Sequence, residues 1–391
     1  MRFLSPLARF LGKALLLIVI LLCLAISIVP PYLDHLYYRG AVSDHFDGQR
    51  FFNPDGSAGF VAPSGAARRS FVTRLLGGGD LPSWPNHVAV TPAHPPARVT
   101  GDEMRVTWVG HASVLVQASG VNILTDPVWS DVVSPFPPLG PRRVAEPGIR
   151  FQDLPPIDIV VISHNHYDHF DVPTLRRLWA RDRPLIAVPL GNETLLREQG
   201  VEAVGLDWGQ SIVRKGVTLT AERNHHWDSR WGVDRNRALW SAWVVRTGAG
   251  NLWFGGDTGP GDMHWASEAT RYGPFRLALI PIGGFRFGPG EMANANHIGP
   301  MQAVQIFRDL GAATAMPMHW GTFRLSSEGY WTGPRMVDLF MRCAGIDPAH
   351  FRARRIGESW DVPPYAPQRA GKPMVDPAQC RPGSAALAAL K

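Results

Sequence analysis

Ile157-Asp158-Ile159-Val160-Val161-Ile162-Ser163-His164-Asn165-His166-Tyr167-Asp168-His169 is the stretch on which the reading of this chain turns. Its first half is dense in β-branched residues and reads as a short buried strand. Its second half sets four potential metal ligands, His164, His166, Asp168 and His169, where strand gives way to loop. In an extended chain the side chains at 164 and 166 point to the same side, and 168 and 169 can turn back toward a second point. Ligands packed this tightly in sequence do not suit one tetrahedral zinc. They suit two ions a few ångströms apart, with two ligands each. The competing reading is a polar loop that happens to hold three histidines. An apolar strand feeding His-x-His-x-Asp-His is a far more specific pattern than a lone histidine.

Further candidates recur in the same setting along the chain. Val217 to Ala221 reads as a strand running into Asn224-His225-His226-Trp227. Trp240 to Val245 and Asn251 to Phe254 read as a hairpin leading into Gly255-Gly256-Asp257-Thr258-Gly259. Thr314 to Met318 reads as a strand ending at His319-Trp320-Gly321-Thr322. Every candidate thus lies just past the C-terminal end of an expected strand, and strands of one layered fold place their ends along one edge. Alone, His226 reads as an ordinary partly buried histidine and Asp257 as a turn residue. Their joint placement makes the case.

The rest of the pattern is mixed α/β. Arg105–Val109, Ser113–Val116 and Val121–Thr125 are expected as short strands joined by tight turns, and residues 129–150 as a long Pro- and Gly-rich loop able to cover a site. A helix is expected over Thr174–Arg181, with Asp171 as N-cap and Pro173 in the first turn, then a strand over Leu185–Val188. Leu277–Ile282 is expected as a strand, Pro300–Leu310 and Pro334–Cys343 as helices, and Arg352–Ile356 as a last strand. Residues 363–391 read as a loose tail.

The 391 residues are 45% hydrophobic and 18% charged, a balance that supports a large core. A net charge of +6 suits an anionic partner such as a phosphate, a phospholipid head group or a membrane surface. The basic residues are scattered, which argues against nucleic acid. The 14 tryptophans exceed what the core needs, so some are expected to line an apolar groove or lie at a membrane interface, with most of them in the core. Three cysteines make no disulfide scaffold, although Cys343 and Cys380 can pair in an oxidising compartment.

The N-terminus carries Arg2, Arg9 and Lys13, then an apolar run from Ala14 to Val29 broken only by Ser27 and ended by Pro30-Pro31. No small-x-small cleavage site follows, so an uncleaved anchor is favoured over a signal peptide. The basic N-terminal side keeps that end in the cytoplasm and places the body on the periplasmic or extracytoplasmic side. Four segments result: an anchor or signal segment over 1–31, an extended lead-in over 32–103 that wraps the catalytic body, with His45 as a surface or turn residue, a catalytic body over 104–362, and the tail over 363–391.

The ordered ligands, His-x-His-x-Asp-His, a later His, Gly-Asp-Thr-Gly and a late His, resemble the metallo-β-lactamase superfamily. Within it, Leu124-Thr125-Asp126-Pro127-Val128-Trp129-Ser130, Gly140-Pro141-Arg142-Arg143, Leu154-Pro155-Pro156-Ile157-Asp158, Ser163 to His169, and Met318-His319-Trp320-Gly321-Thr322-Phe323 are similar to N-acylphosphatidylethanolamine-hydrolysing phospholipases D. The similarity covers about residues 43–360. It implies an αββα four-layer sandwich and two zinc ions, with iron as an alternative at one. It assigns His164, His166 and His226 to one ion, Asp168, His169 and His319 to the other, and Asp257 to both. His226 is chosen over His225 because it adjoins Trp227. His297 matches a family histidine close to the site, where it can contact the phosphate or leaving group or serve as structural support, and His111 matches a Gly-His-Ala turn beside the ligands.

The implied activity is phospholipase D-type hydrolysis of N-acylphosphatidylethanolamine to phosphatidic acid and N-acylethanolamine by a hydroxide held between the ions, which Asp168 orients and whose proton it accepts. The implied partners are a phospholipid substrate and the membrane, with homo-oligomerisation left open. Another hydrolase on the same scaffold, acting on a lactone, a β-lactam or a different phosphodiester, and a membrane-anchored envelope protein with a vestigial metal site stand as alternatives.

Overall fold

Alternation along four short strands decides the layering. The computed structural model describes residues 5–57, 82, 84–287 and 291–390. In β1 (Met104–Gly110), β2 (Ser113–Ala118), β3 (Val121–Thr125) and β4 (Ile159–Val161), successive side chains enter two different cores. Val106, Val114, Val116, Ile123, Ile159 and Val161 pack into the larger core. Val109, Leu115, Leu124 and Val160 pack into the smaller one, with Leu175 and Leu178 of the helix Val172–Asp182. A period-2 strand with both faces apolar must be covered on both sides, here by a second sheet and by helices.

Among the described residues the first sheet has the order β13-β1-β2-β3-β4-β5-β6, with β5 at Leu185–Pro189, β6 at Val204–Leu206 and β13 at Ser359–Asp361. The second has the order β12-β11-β10-β9-β8-β7. It consists of β7 (Ser211–Arg214), β8 (Val217–Glu222), β9 (Ala242–Thr247), β10 (Gly250–Phe254), β11 (Phe275–Pro281) and β12 (Thr314–Met318). Val244, Leu252 and Leu279 of this sheet share the larger core with Ala303 and Phe307 of the helix Pro300–Asp309 and with Met336 and Phe340 of the helix Thr332–Cys343. The result is the expected αββα sandwich. Parallel pairing of β3 with β4 and of β10, β11 and β12 in turn brings their C-terminal ends to one edge.

The helix Pro6–Leu33 stands apart from the sandwich. Its stretch Phe10–Leu33 has mean hydropathy 2.8, none of it buried, and its 24 residues are long and apolar enough to cross a membrane. Pro30 and Pro31 do not end it. They lie in its last turn, and the Asp34 N–H still reaches the Pro30 carbonyl at 2.9 Å. Proline there forfeits its own N–H bonds without blocking the residues that follow.

Several sequence expectations are corrected. Arg352–Ile356 is not a strand, because the Glu358 carboxylate accepts from the Arg355 N–H and from Arg354 and closes a turn there. The strand that pairs with β1 comes later, at Ser359–Asp361. Trp240 precedes its strand and is buried with Phe46 and Phe51 of the lead-in. Asp171 flanks its helix but does not cap the backbone. Its carboxylate accepts from the Trp129 and Ser130 N–H groups and from the Ser130 and Thr174 hydroxyls. The tail is not loose: a Cys343–Cys380 disulfide ties it to the helix Thr332–Cys343, and Leu387 is buried in the larger core. Trp108, Trp240, Trp243, Trp253 and Trp265 are fully buried in the core. His45 is buried between Asp44 and Asp207 and stacks on Trp208, because the lead-in packs against the sandwich here. The Gly77–Gly79 stretch of the lead-in lies outside the described residues.

Candidate metal centre

The strand ends are stitched together before any ligand is considered. The Trp243 indole donates to the Ile162 carbonyl at 2.8 Å, and the Ser241 N–H to the Ser163 carbonyl at 2.9 Å. The Asn224 amide donates to the carbonyls of Gly255 and Asp257. Gly256 has φ +57°, and a Cβ there would lie 2.3 Å from Ser163 Cβ. Glycine is required for Asp257 to reach the 164–169 loop. Gly284, at φ +74°, likewise leaves room for the rings of His297 and His319.

Two groups of donor atoms meet on this edge. In the first, His164, His166 and His226 place their ligand atoms within 4.8 Å of one another, with His164 Nε2 2.8 Å from His166 Nδ1. Two of the rings are set from behind. His164 Nδ1 lies 2.9 Å from the Ser163 hydroxyl, and His226 Nδ1 lies 3.1 Å from the Asn296 carbonyl, leaving His226 Nε2 buried without a partner among the described residues. In the second, Asp257 Oδ2 lies 3.2 Å from His169 Nε2 and 3.0 Å from His319 Nε2. Asp168 Oδ2 lies 3.5 and 3.4 Å from the same two nitrogens. A tetrahedral ion with bonds of about 2.0–2.1 Å has edges of about 3.3 Å, so these four atoms have the spacing of one coordination shell.

Asp257 joins the groups, because its ligand atom also lies within 4.8 Å of His164 and His169. Its second oxygen, Oδ1, is buried and has no hydrogen-bond partner among the described residues, and the same is true of His166 Nε2 and His226 Nε2. Buried polar atoms of a folded protein are nearly always satisfied, so this concentration of orphans points to missing cations. The charge balance agrees. Burial and the neighbouring His169 hold the His164 pKa well below its ordinary value, and burial above all lowers His166 to about 4 and holds His226 well down. The first group is therefore three neutral imidazoles ready to donate lone pairs. In the second, burial works against charge on His319, but Asp257 and Asp168 outweigh it and push the pKa up to about 9. Burial is likewise overridden at His169, which the two carboxylates hold well above the usual histidine range. Two buried carboxylates thus recruit protons onto imidazoles where a divalent ion would supply the positive charge.

The structure brings together all seven expected ligands, His164, His166, Asp168, His169, His226, Asp257 and His319, with His297 beside them. His297 Nδ1 lies 3.7 Å from Asp257 Oδ2, and its ring stacks on His319 at 5.3 Å. Burial lowers its pKa to about 4, so it is neutral near pH 7. His225 points away from the centre, its Nε2 held 2.6 Å from the Ser57 hydroxyl and 3.1 Å from Asp55. His111 Nε2 lies 2.9 Å from Asp168 Oδ2, behind the second group.

Sequence reasoning passed over Asp126. It follows β3, fully buried, and accepts from His169 Nδ1 at 2.6 Å, the Ser163 N–H at 2.7 Å and the Ser163 hydroxyl at 2.6 Å. By accepting from Nδ1–H it fixes the His169 ring so that Nε2 is the atom turned to Asp257 and Asp168, where a divalent ion would take the place of its proton. The available signal was a buried-type strand ending in Asp-Pro, in the position where the metal ligands end theirs. Arg230 is a second such residue. It donates to the carbonyls of Asn165 and Phe170, on both sides of the ligand loop, and lies 3.5 Å over the Tyr167 ring.

Comparison with known proteins agrees with this geometry. Residues 121–320 match a family model described as the beta-lactamase superfamily domain. The N-acyl-phosphatidylethanolamine-hydrolyzing phospholipase D 1 of Caenorhabditis elegans is 35% identical over 270 residues, which are 66% of this chain and 75% of that one. An uncharacterized protein of Mycobacterium tuberculosis is 38% identical over 296 residues, 72% of this chain and 77% of the other. Among solved structures, a possible metal-dependent hydrolase from Veillonella parvula superposes with a TM-score of 0.52 at 16% identity, covering 66% of this chain and 99% of that one, a likeness of fold alone.

Proposed function

Because this chain belongs to the beta-lactamase superfamily of metal-dependent hydrolases, we propose that it is a phospholipase D-type phosphodiesterase acting on N-acylphosphatidylethanolamine-type lipids. The single observation that carries the reading is the split donor set: three neutral imidazoles on one side, two imidazoles and a carboxylate on the other, and Asp257 between them. His164, His166 and His226 would hold one divalent cation and Asp168, His169 and His319 the second, as zinc or with iron at one position. When bound, such a pair lowers the pKa of a water to near neutrality and offsets the charge on phosphate oxygens. The relatives named for N-acylphosphatidylethanolamine hydrolysis supply the substrate class.

The chain's own residues then have definite work. Asp168 is only partly exposed and held well below the usual carboxylate range; burial opposes its charge, but the neighbouring His169 outweighs this. It stays ionised, accepting from His111, so it orients a nucleophile better than it takes up a proton. His297, neutral near pH 7, presents an N–H donor to a phosphate oxygen or to the departing ethanolamine oxygen. Overall, water adds its oxygen to phosphorus, the bond from phosphorus to the ethanolamine oxygen breaks, and that oxygen leaves protonated.

The helix Phe10–Leu33 would hold the body at a bilayer, with the basic N-terminus in the cytoplasm and the sandwich outside. The Cys343–Cys380 disulfide supports that side, since disulfides persist in oxidising compartments. The test is an assay of the metal-loaded full chain in detergent on N-acylphosphatidylethanolamine, on bis(p-nitrophenyl) phosphate, on a lactone and on a β-lactam. Release of N-acylethanolamine with phosphatidic acid is expected. Turnover of the lactone or β-lactam with the phospholipid left intact refutes the substrate while sparing the hydrolase.

A further inference from the structure

Four of the large apolar side chains that lie open on the body come together on two neighbouring segments, apart from other exposed ones such as Val213 and Trp331. Phe136 is 64% exposed and Leu139 72%, at the tip of the loop after β3, and Trp231 and Val233 are 38% and 37% exposed in the segment after β8. Leu139 is as open as Ile26 on the lone apolar helix, also at 72%. The two segments form one patch, with the rings of Phe136 and Trp231 6.1 Å apart.

This patch adjoins the root of that helix. The helix ends at Leu33, and the next residue, Asp34, is already gripped by the body. Its carboxylate takes two hydrogen bonds from Arg237, both at 2.8 Å, and two from Arg50 at 2.8 and 3.0 Å. Arg50 also donates to the carbonyls of Arg235 and Val233, on the patch segment itself. Three residues on, the Tyr37 hydroxyl donates to Asp234 at 2.8 Å, and Asp234 in turn accepts from the Trp231 N–H at 2.8 Å. No slack chain separates the helix from the sandwich, so a helix that spans a bilayer carries this face of the body to the head-group layer.

We infer that Phe136, Leu139, Trp231 and Val233 form a membrane-docking face that inserts into the interface of the bilayer crossed by the N-terminal helix, and that holds the metal centre's open edge toward the lipid. The occupant is a phospholipid surface. Aromatic and aliphatic side chains favour the head-group boundary, and the exposed Arg142 on the same loop and Arg39 beside the helix root suit anionic lipid. The open edge lies one layer away. Tyr167, between the half-buried His166 and Asp168, packs with Val133 of the Phe136 loop and under Arg230, the neighbour of Trp231. An isolated apolar patch on a soluble body would bind a protein as readily. The rigid link to an apolar helix singles out lipid.

The inference rests on the reading of Phe10–Leu33 as a span, and the experiment separates the two. The full chain, with Cys23→Ser as background, carries a single environment-sensitive nitrobenzoxadiazole label at Phe136→Cys, Trp231→Cys or, as control, Met374→Cys. It is reconstituted into vesicles of phosphatidylethanolamine and phosphatidylglycerol and floated on a density gradient. Co-flotation with an emission blue shift and lipid-quencher access at 136 and 231, and none at 374, is expected. Co-flotation with water-exposed labels at 136 and 231 overturns the docking face and leaves the span standing. A chain that stays at the bottom of the gradient removes the span and the docking face with it. A shift at all three positions, or a shift at 136 and 231 that needs no vesicles and grows with protein concentration, overturns the lipid assignment in favour of nonspecific adsorption or self-association.

Discussion

Asp126→Asn tests whether the second donor group is built from behind as the structure implies. The carboxylate accepts three hydrogen bonds, from His169 Nδ1, the Ser163 N–H and the Ser163 hydroxyl. Asparagine keeps the shape and tolerates the backbone there, at φ 31°, but turns one acceptor into a donor. The Ser163 N–H is fixed in the backbone and holds the amide oxygen at the Oδ1 position, which sets the NH2 at the Oδ2 position; there the Ser163 hydroxyl can rotate and accept, whereas His169 Nδ1–H cannot. His169 must then lose that bond or shift its proton to Nε2, the atom that faces Asp257 and Asp168. A buried hydrogen bond to a charged group contributes about 1.5–3 kcal/mol, which converts to a ten- to hundredfold loss of affinity at the second metal position. The assay is competitive titration of zinc against a chromophoric chelator, with metal counted after dialysis and the thermal midpoint followed as a control on folding. One tightly held equivalent should remain, on His164, His166 and His226. Two equivalents at wild-type affinity in a folded Asp126→Asn protein would refute the claim that Asp126 sets the His169 tautomer.

Other changes have equally definite outcomes. His166→Ala or Asp168→Ala should abolish turnover and leave the far-ultraviolet circular dichroism intact, since each removes one donor from a pre-built shell; near-normal hydrolysis by either would overturn the ligand assignment. Cys343→Ser should free the tail. Opening a loop with a sequence separation of 37 is worth about 4 kcal/mol on chain entropy, read as faster limited proteolysis within residues 363–391 and a lower melting midpoint. His45 provides the pH test. Burial opposes its charge, but the hydrogen bonds that its ring donates to the Asp207 and Asp44 carboxylates outweigh this and raise its pKa. The stabilisation is therefore complete below the unfolded value of about 6.5 and is lost as pH rises through the raised folded value. Amide exchange in residues 43–53 should quicken in the wild type as pH rises above about 6.5 and through the raised folded value, and be pH-flat, after correction for intrinsic exchange, in His45→Gln. Unchanged wild-type protection would remove His45 as the clasp.

Much of this centre was legible in the amino-acid order because its parts are local. A run of β-branched residues can only be a buried strand, and ligands spaced as His164, His166, Asp168 and His169 can only cluster once that strand stops. The same logic placed Asp257 and His319 at strand ends, and parallel pairing of β10, β11 and β12 then put those ends on one edge. Identities and offsets along the chain were enough, because the period of a strand and the reach of a side chain are the same in every fold.

What the order of residues could not settle depended on partners far away in sequence. His225 and His226 are adjacent and alike. Only the packing of Asp55 and Ser57 against one, and of the Asn296 carbonyl against the other, tells the outward ring from the inward one. Asp126 looks like a turn residue until His169 and Ser163 close on it, and Asp171 looks like a cap until the loop at Trp129 and Ser130 takes its carboxylate. The lead-in reads as wrapping the body and the tail as loose, but what pins each, His45 on Asp207 and Cys343 on Cys380, spans 162 and 37 residues and is not visible locally. Local propensity is written in neighbours along the chain, but an ionisable group's partner and the face a loop shows to a membrane exist only once the chain has closed on itself.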